Sequence, residues 1–264
     1  MKVDSHSHSK FSPDGHAEIA EMAAKAKELG AGYLAITDHC DKDALQPGNE
    51  VPVPWRQLDI DAYYSDYKMV KAGERELYLA FGIEAGYDHR AEKLYREIID
   101  KYPFDVVINS VHFVEGWDVY FPYFFEGKTK DVAYRMYFEK VYESLFADYP
   151  YDIVGHIGYC VRNAPYPDPV IHYEDYSDLL EPILRTIIRL GKTLEVNTHH
   201  DMCPNIEILK KYYEFGGRKI SFGSDAHRGD VLKDYDKVSK TLKEIGFTHY
   251  TYFKQHIEEY EPIE

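Results

Sequence analysis

Short apolar runs alternate along this chain with longer stretches in which apolar residues recur every three or four positions. The runs read as strands at Lys2–His8, Tyr33–Asp38, Leu77–Glu84, Asp105–His112, Tyr151–His156, Thr193–Thr198 and Lys219–Ser224. The first stretch between them places Ile19, Met22, Ala23, Ala26 and Leu29 at helical spacing, and Gly30 follows as a stop. Further helices are expected near Asp61–Ala72, Ala91–Lys101, Lys130–Asp148, Tyr176–Leu190, Asn205–Phe215 and Val231–Ile245.

Repeated strand–helix units imply parallel strands covered by helices, either as an open sheet or as a barrel. The polar residues decide between them. The strands end in His6 and His8, Asp38 and His39, Glu84, His112, His156, Asn197, and Asp225 with His227. An open sheet concentrates its ligands at one crevice, whereas a barrel brings every strand end to one mouth. The expected fold is therefore α/β, a distorted (β/α)7 TIM-like barrel, with residues 1–264 as a single domain. Three connections are long: Cys40–Leu58, the aromatic Phe113–Thr129, and the segment after His156, where Pro165, Pro167 and Pro169 exclude a regular helix.

Composition narrows the function. A formal charge of −15 makes nucleic acid a poor partner, and the acidity suits a small substrate. Cys40, Cys160 and Cys203 are odd in number and far apart, so no disulfide framework or zinc knuckle is expected. The N-terminus enters a polar motif at once and no apolar run approaches membrane-spanning length, so a cytoplasmic protein with no membrane partner is expected. The 25 tyrosines, among them Tyr63, Tyr64 and Tyr67 and then Tyr134, Tyr137 and Tyr142, read as amphipathic helix packing with a wet hydroxyl. Oligomeric state is not legible.

The chemistry lies at the strand ends. Asp4, His6 and His8 alternate, which puts three side chains on one face, and Asp4 is placed to orient a ring. HxH alone is a weak motif. It gains weight from TDH at 37–39, GIE at 82–84, SVH at 110–112, GHI at 155–157 and SDAH at 224–227. Isolated histidines are more often surface residues, and that reading suits His89, His172, His249 and His256. It suits the strand-end histidines poorly. Glu84 and Asp225, at the ends of apolar strands, would be costly to bury without cations.

The series HxH, SPDG, TDH, GIE, SVH, GHI and GSDAH resembles the polymerase and histidinol phosphatase (PHP) superfamily from residue 4 to residue 227. The segments around SVHFVEGWDVYF and GHIGYCVR are similar to its stand-alone histidinol-phosphatase branch. The resemblance implies a distorted seven-stranded barrel and a cluster of two or three divalent metal ions. It puts His6, His8, Glu84 and Asp225 on the first ion, with Glu84 bridging to a second ion held by His112 and His156. It puts His39 and His227 on a third ion, with Asp14 as the best match for the remaining ligand and His16 as the alternative. Imidazole and carboxylate together suit zinc, manganese or iron. Water shared by such ions is activated near neutral pH, which suits attack on phosphorus. With two ions only, Asp14 or His39 is available as a general acid. Arg162, six residues after His156, resembles a phosphate-binding arginine.

The implied reaction is hydrolysis of L-histidinol phosphate. Another small phosphoester or nucleotide, or a metal-binding module without turnover, are the alternatives. Glu115 and Asp118 are expected to pair with the substrate amine and Trp117 to wall its ring. The chain departs from the family at EVNTHHDMCPN, where a Gly-Leu-Arg-like stretch is usual, so His199 or His200 is expected to replace a lost substrate contact or to be an ordinary loop residue.

Overall fold

A computed structural model describes residues 1–51 and 55–264. Part of the Cys40–Leu58 connection thus falls outside the described residues. In chain order the strands are β1 (Lys2–Asp4), β2 (Ala31–Cys40), β3 (Tyr78–Gly86), β4 (Val106–Ser110), β5 (Phe113–Val114), β6 (Trp117–Asp118), β7 (Ile153–Val154), β8 (Thr193–Asn197), β9 (Ile220–Gly223), β10 (His249–Lys254) and β11 (Ile257–Pro262). The helices are α1 (Ile19–Glu28), α2 (Ile60–Gly73), α3 (Glu92–Lys101), α4 (Lys130–Ser144), α5 (Ser177–Arg189), α6 (Ile206–Glu214) and α7 (Tyr235–Ile245).

Seven strands form one parallel sheet in the order β1-β2-β3-β4-β7-β8-β9. The two outer strands meet: Ser5 N donates to Phe222 O and Asp225 N to His6 O, both at 2.8 Å, and Ser7 bridges Ala226. The sheet is therefore a nearly closed barrel, as the strand-end pattern implied. β1 and β7 are shorter as ladders than their apolar runs. The chain nevertheless stays bonded to its neighbours beyond them, with His8 N on Ala226 O and Gly155 N on Asn109 O.

The core is a layer of Ile, Leu, Val and aromatic side chains between strands and helices. The tyrosine hydroxyls depart from expectation. Tyr63 and Tyr67 are buried, and their hydroxyls donate to Ile36 O at 2.7 Å and Leu79 O at 3.1 Å rather than to water. Tyr134 and Tyr137 do likewise toward Pro169 O and His156 O. A buried phenol needs a partner, and strand and loop carbonyls supply it. Tyr142, by contrast, is exposed.

Helix starts follow their caps: Asp59, Thr129 and Asn205 accept from backbone N–H groups of α2, α4 and α6. α7 starts four residues later than the apolar spacing suggested. The Asp4 carboxylate takes the Leu232 N–H at 2.9 Å, and Leu232 and Asp234 adopt left-handed φ of 58°, which a helix cannot contain. α4 ends at Ser144, whose carbonyl is taken by Asn109 Nδ2 at 2.8 Å.

The hairpin β10–β11 was not expected, because its turn, Gln255–His256, has no glycine or asparagine, yet both residues take positive φ. It lies at the N-terminal ends of the strands, where Tyr33 Oη donates to Phe253 O and Gln255 N to Asp105 Oδ1. The opposite end is thereby left as the open mouth. Among the described residues no helix is long and apolar enough to cross a membrane.

Candidate metal centre

The C-terminal strand ends converge. Glu84, near the end of β3, lies at the centre: its Oε1 is 2.7 Å from His156 Nε2 and 3.3 Å from His112 Nε2. Its Oε2 is 3.0 Å from His39 Nδ1, 3.4 Å from His6 Nε2 and 3.5 Å from His8 Nε2. Asp225 Oδ1 stands 3.1 Å from His8 Nε2. Asp14 Oδ2 is 3.4 Å from His227 Nε2 and its Oδ1 is 3.8 Å from His39 Nε2. All nine residues of the expected ligand set are thus brought together. His16 is not among them: it is exposed and lines a separate groove with Ala17 and Glu21.

The local chain explains the convergence. Asp38 is fully buried and accepts from Ser9 N and Ser12 N and from both hydroxyls, which folds the SPDG turn over the mouth and presents Asp14. Gly223 lets β9 approach β8: a Cβ there would lie 2.1 Å from Glu195 Oε1. Gly155 is equally pressed, since a Cβ would meet Ser110 Oγ at 2.2 Å.

Hydrogen bonds fix the imidazole tautomers. His6 Nδ1 sits 2.6 Å from Glu195 Oε1, and a carboxylate only accepts, so Nδ1 carries the proton. Ser12 Oγ spends its proton on Asp38, so His8 Nδ1 must donate to that oxygen, 2.9 Å away. The two Nε2 atoms face each other 2.9 Å apart, and with a lone pair on His8 Nε2 the contact requires a cation against it, either a second proton on His6 or a metal ion in its place. His39 Nδ1, Glu84 Oε2, His156 Nδ1 and His227 Nε2 are buried without a hydrogen-bond partner. Orphaned nitrogen and oxygen atoms of this kind, with no thiolate among them, fit divalent transition metals.

The charges agree. Burial alone would raise the Glu84 carboxyl, but His6, His39 and His112 overturn this and hold it well below the ordinary carboxylate range. Burial lowers His8 well below the usual imidazole range, with His227 and His39 adding to it, so His8 is neutral, as a ligand must be.

Two supporting carboxylates play parts the sequence did not reveal. Asp4 was expected to orient a histidine ring, but it accepts from Ser224 N at 2.9 Å and Leu232 N at 2.9 Å, so it ties backbone. The ring-orienting carboxylate is Glu195, buried within the apolar strand β8, which also accepts from His156 N at 2.6 Å. A lone acid flanked by Leu194 and Val196 in an otherwise uncharged, fully buried strand, TLEVN, was the available clue. Replacing Glu195 with Gln should weaken metal retention about 10- to 100-fold, with little change in far-UV circular dichroism. Metal retention equal to wild type in a chelator titration would remove this role from Glu195.

A cavity of about 430 Å3 opens over the cluster and is lined in part by Trp55, Asp118, Tyr120, Phe121, Tyr159 and Arg162. Arg162 is partly buried, donates from Nη2 to Asp225 Oδ2 at 2.8 Å and Asn197 Oδ1 at 3.0 Å, and lies over the Tyr159 ring. His199 also lines the cavity, with Nδ1 2.6 Å from the Asp225 carbonyl oxygen. His200 lines a neighbouring groove instead. Burial pushes the Asp118 carboxyl up to about 6.

Two of the expected substrate contacts fall elsewhere. Glu115 is exposed and borders a different pocket with Asp88 and Arg90. It occupies the tight turn between β5 and β6 at φ 49°, which points it away from the mouth. Trp117 stacks near Tyr123 and bridges Glu50 through its backbone, so the aromatic wall is made by Trp55, Tyr120, Phe121 and Tyr159. Phe124 and Phe125 are buried and pin the loop to the barrel, whereas Phe121 faces the cavity. His89, His172, His249 and His256 are surface residues.

Comparison with known proteins agrees with this geometry. Residues 4–199 match the family model described as PHP domain. The chain is 32% identical over 239 residues to a probable histidinol-phosphatase of Clostridium acetobutylicum, covering 88% of this chain and 89% of that protein. It is 29% identical over 255 residues to the histidinol-phosphatase of Lactococcus lactis, covering 93% and 92%. The crystal structure of the Lactococcus lactis histidinol phosphate phosphatase, complexed with zinc, L-histidinol and phosphate, superposes with a TM-score of 0.88 at 28% identity, covering 98% of each chain. With its strand-end histidines and carboxylates gathered at one barrel mouth, the chain belongs to the PHP domain family, in the stand-alone histidinol-phosphatase branch.

Proposed function

We propose that this protein is a metal-dependent phosphomonoesterase that hydrolyses L-histidinol phosphate to L-histidinol and phosphate. The observation that carries the reading is the gathering of strand-end imidazoles around the buried Glu84 carboxylate, with the His6 and His8 Nε2 atoms facing each other at 2.9 Å, under a cavity that also holds an arginine. The similar Lactococcus lactis enzyme is described with zinc, L-histidinol and phosphate bound, which supports the same substrate class here.

Two or three divalent ions fit the donors: one on His6, His8, Glu84 and Asp225, a second on Glu84, His112 and His156, and a third on Asp14, His39 and His227. When bound, such ions supply an activated water at neutral pH and offset charge on the phosphoryl oxygens. The chain does the rest. Arg162, locked on Asp225 and Asn197, orients a phosphoryl oxygen with its remaining N–H groups. With only two ions bound, His39 and Asp14 hold the proton delivered to the leaving alkoxide, His39 Nε2 being 3.8 Å from Asp14 Oδ1. Asp118 takes the substrate ammonium and Trp55, Tyr120 and Phe121 wall its ring, with His199 completing the rim. Free, buried Cys40, Cys160 and Cys203 suit a reduced compartment, so we place the enzyme in the cytoplasm, acting as one domain.

Phosphate release from a panel of phosphomonoesters, with zinc-, manganese- and iron-loaded protein, tests the reading. Histidinol phosphate should have the highest kcat/KM, and elemental analysis should find at least two equivalents of metal per chain. Activity that survives complete metal removal would overturn the mechanism. A better substrate lacking an amine would overturn the substrate.

A further inference from the structure

Two arginines line the cavity, and they are in opposite states. Arg162 has a side chain only 9% exposed and is neutralised by Asp225 at 2.8 Å. Arg228 follows the ligand residue His227 directly, is exposed, and stands on the rim between the cavity and the neighbouring groove lined by His16, Ala17 and Glu21. Among the described residues its guanidinium makes no ion pair and no hydrogen bond; only its backbone N–H is engaged, with Asp230 Oδ1 at 3.4 Å. Its backbone is nonetheless anchored: His227 O accepts from His16 N at 2.9 Å, and His227 Nδ1 lies 2.8 Å from the Asp225 carbonyl oxygen. An uncommitted cation on a fixed stem thus stands at the rim of a cavity whose walls carry Asp14, Glu84, Asp118 and Asp225, in a chain of net charge −15.

That setting opposes an approaching anion, and an unpaired guanidinium at the entrance is the group that offsets it. We infer that Arg228 is a substrate-binding residue: its side chain swings over the mouth and, together with Arg162, clamps the phosphoryl group of the ester. This rests on the phosphomonoesterase reading. The clamp grips substrate, transition state and product phosphate alike, because all three present anionic oxygens at the same place. It therefore acts on binding more than on turnover. Its planar fork suits two phosphoryl oxygens at once, and its exposure lets it release the product.

The test uses the metal-loaded full chain with histidinol phosphate as substrate and inorganic phosphate as inhibitor. R228A should raise both KM and the phosphate inhibition constant about tenfold, while kcat changes less than about threefold. R228K should recover most of the loss at low ionic strength, and R228A should flatten the salt dependence of kcat/KM. KM and phosphate inhibition within about twofold of wild type would overturn the clamp while leaving the phosphatase reading intact. So would loss of metal from R228A, since the residue would then be supporting His227. A wild-type enzyme that neither hydrolyses phosphomonoesters nor binds phosphate would overturn the underlying reading itself.

Discussion

Replacing Glu84 with Gln should lower kcat roughly a thousandfold, the loss expected when several kcal/mol of metal-derived stabilisation disappears. It should also remove more than one equivalent of metal. The reason is geometric. Its two oxygens face different imidazoles: Oε1 the His112 and His156 pair, Oε2 the His6, His8 and His39 side. Gln keeps the shape but offers one weaker oxygen and one N–H donor, so one of the two groups faces a donor where an acceptor is needed. The measurement is elemental analysis alongside kcat. Full metal content with low activity would mean that Glu84 bears on the reaction without holding ions. Full activity would remove it from the centre altogether.

The second large effect is on substrate choice. Asp118→Asn should reduce kcat/KM for histidinol phosphate about 10- to 100-fold, the usual strength of a charged hydrogen bond in a partly dry pocket, and spare an aryl phosphate that has no amine. Glu115→Gln, whose side chain borders a different pocket, should leave both substrates unaffected. The pH dependence carries a sign. Burial raises the Asp118 carboxyl to about 6, so the carboxylate is fully present above that pH and is lost as pH falls through it. The part of the acid limb in KM that belongs to Asp118 should be missing in the Asn variant, which separates it from the titration of the substrate itself. Equal losses on both substrates would assign Asp118 to the metals or the loop, and no loss on either would return the search to His199.

Much of this centre is legible in the sequence. Ligands such as His39, Glu84 and His112 sit at or just past the ends of apolar runs, and a run of that length has only one way to thread a parallel barrel, so their side of the molecule follows from direction alone. Asp14 was separable from His16 only in three dimensions, because the choice depends on how Asp38 curls the turn through Ser9 and Ser12. Glu115 misled because spacing along a loop says nothing about which way a residue at positive φ will point. Glu195 escaped notice for the opposite reason: it sits inside a strand rather than at its end, and apolar neighbours hide it. The C-terminal hairpin was missed because its turn lacks the residues that normally announce one.

The phenol contacts of the outer layer have a bearing on the inner one. Apolar packing resists separation of a helix from a sheet but yields easily to sliding, since one methyl group serves nearly as well as the next. A hydroxyl bonded to one particular carbonyl does not permit that drift. Tyr63 spans Ile36 O and Gly82 O, next to the strand ends that carry His39 and Glu84, and Tyr137 grips the carbonyl of His156 itself. Phenylalanine at these positions would keep the grease and give up the axial setting. The spacing of imidazoles around Glu84 is in this sense adjusted from outside the barrel, by side chains that never face the mouth.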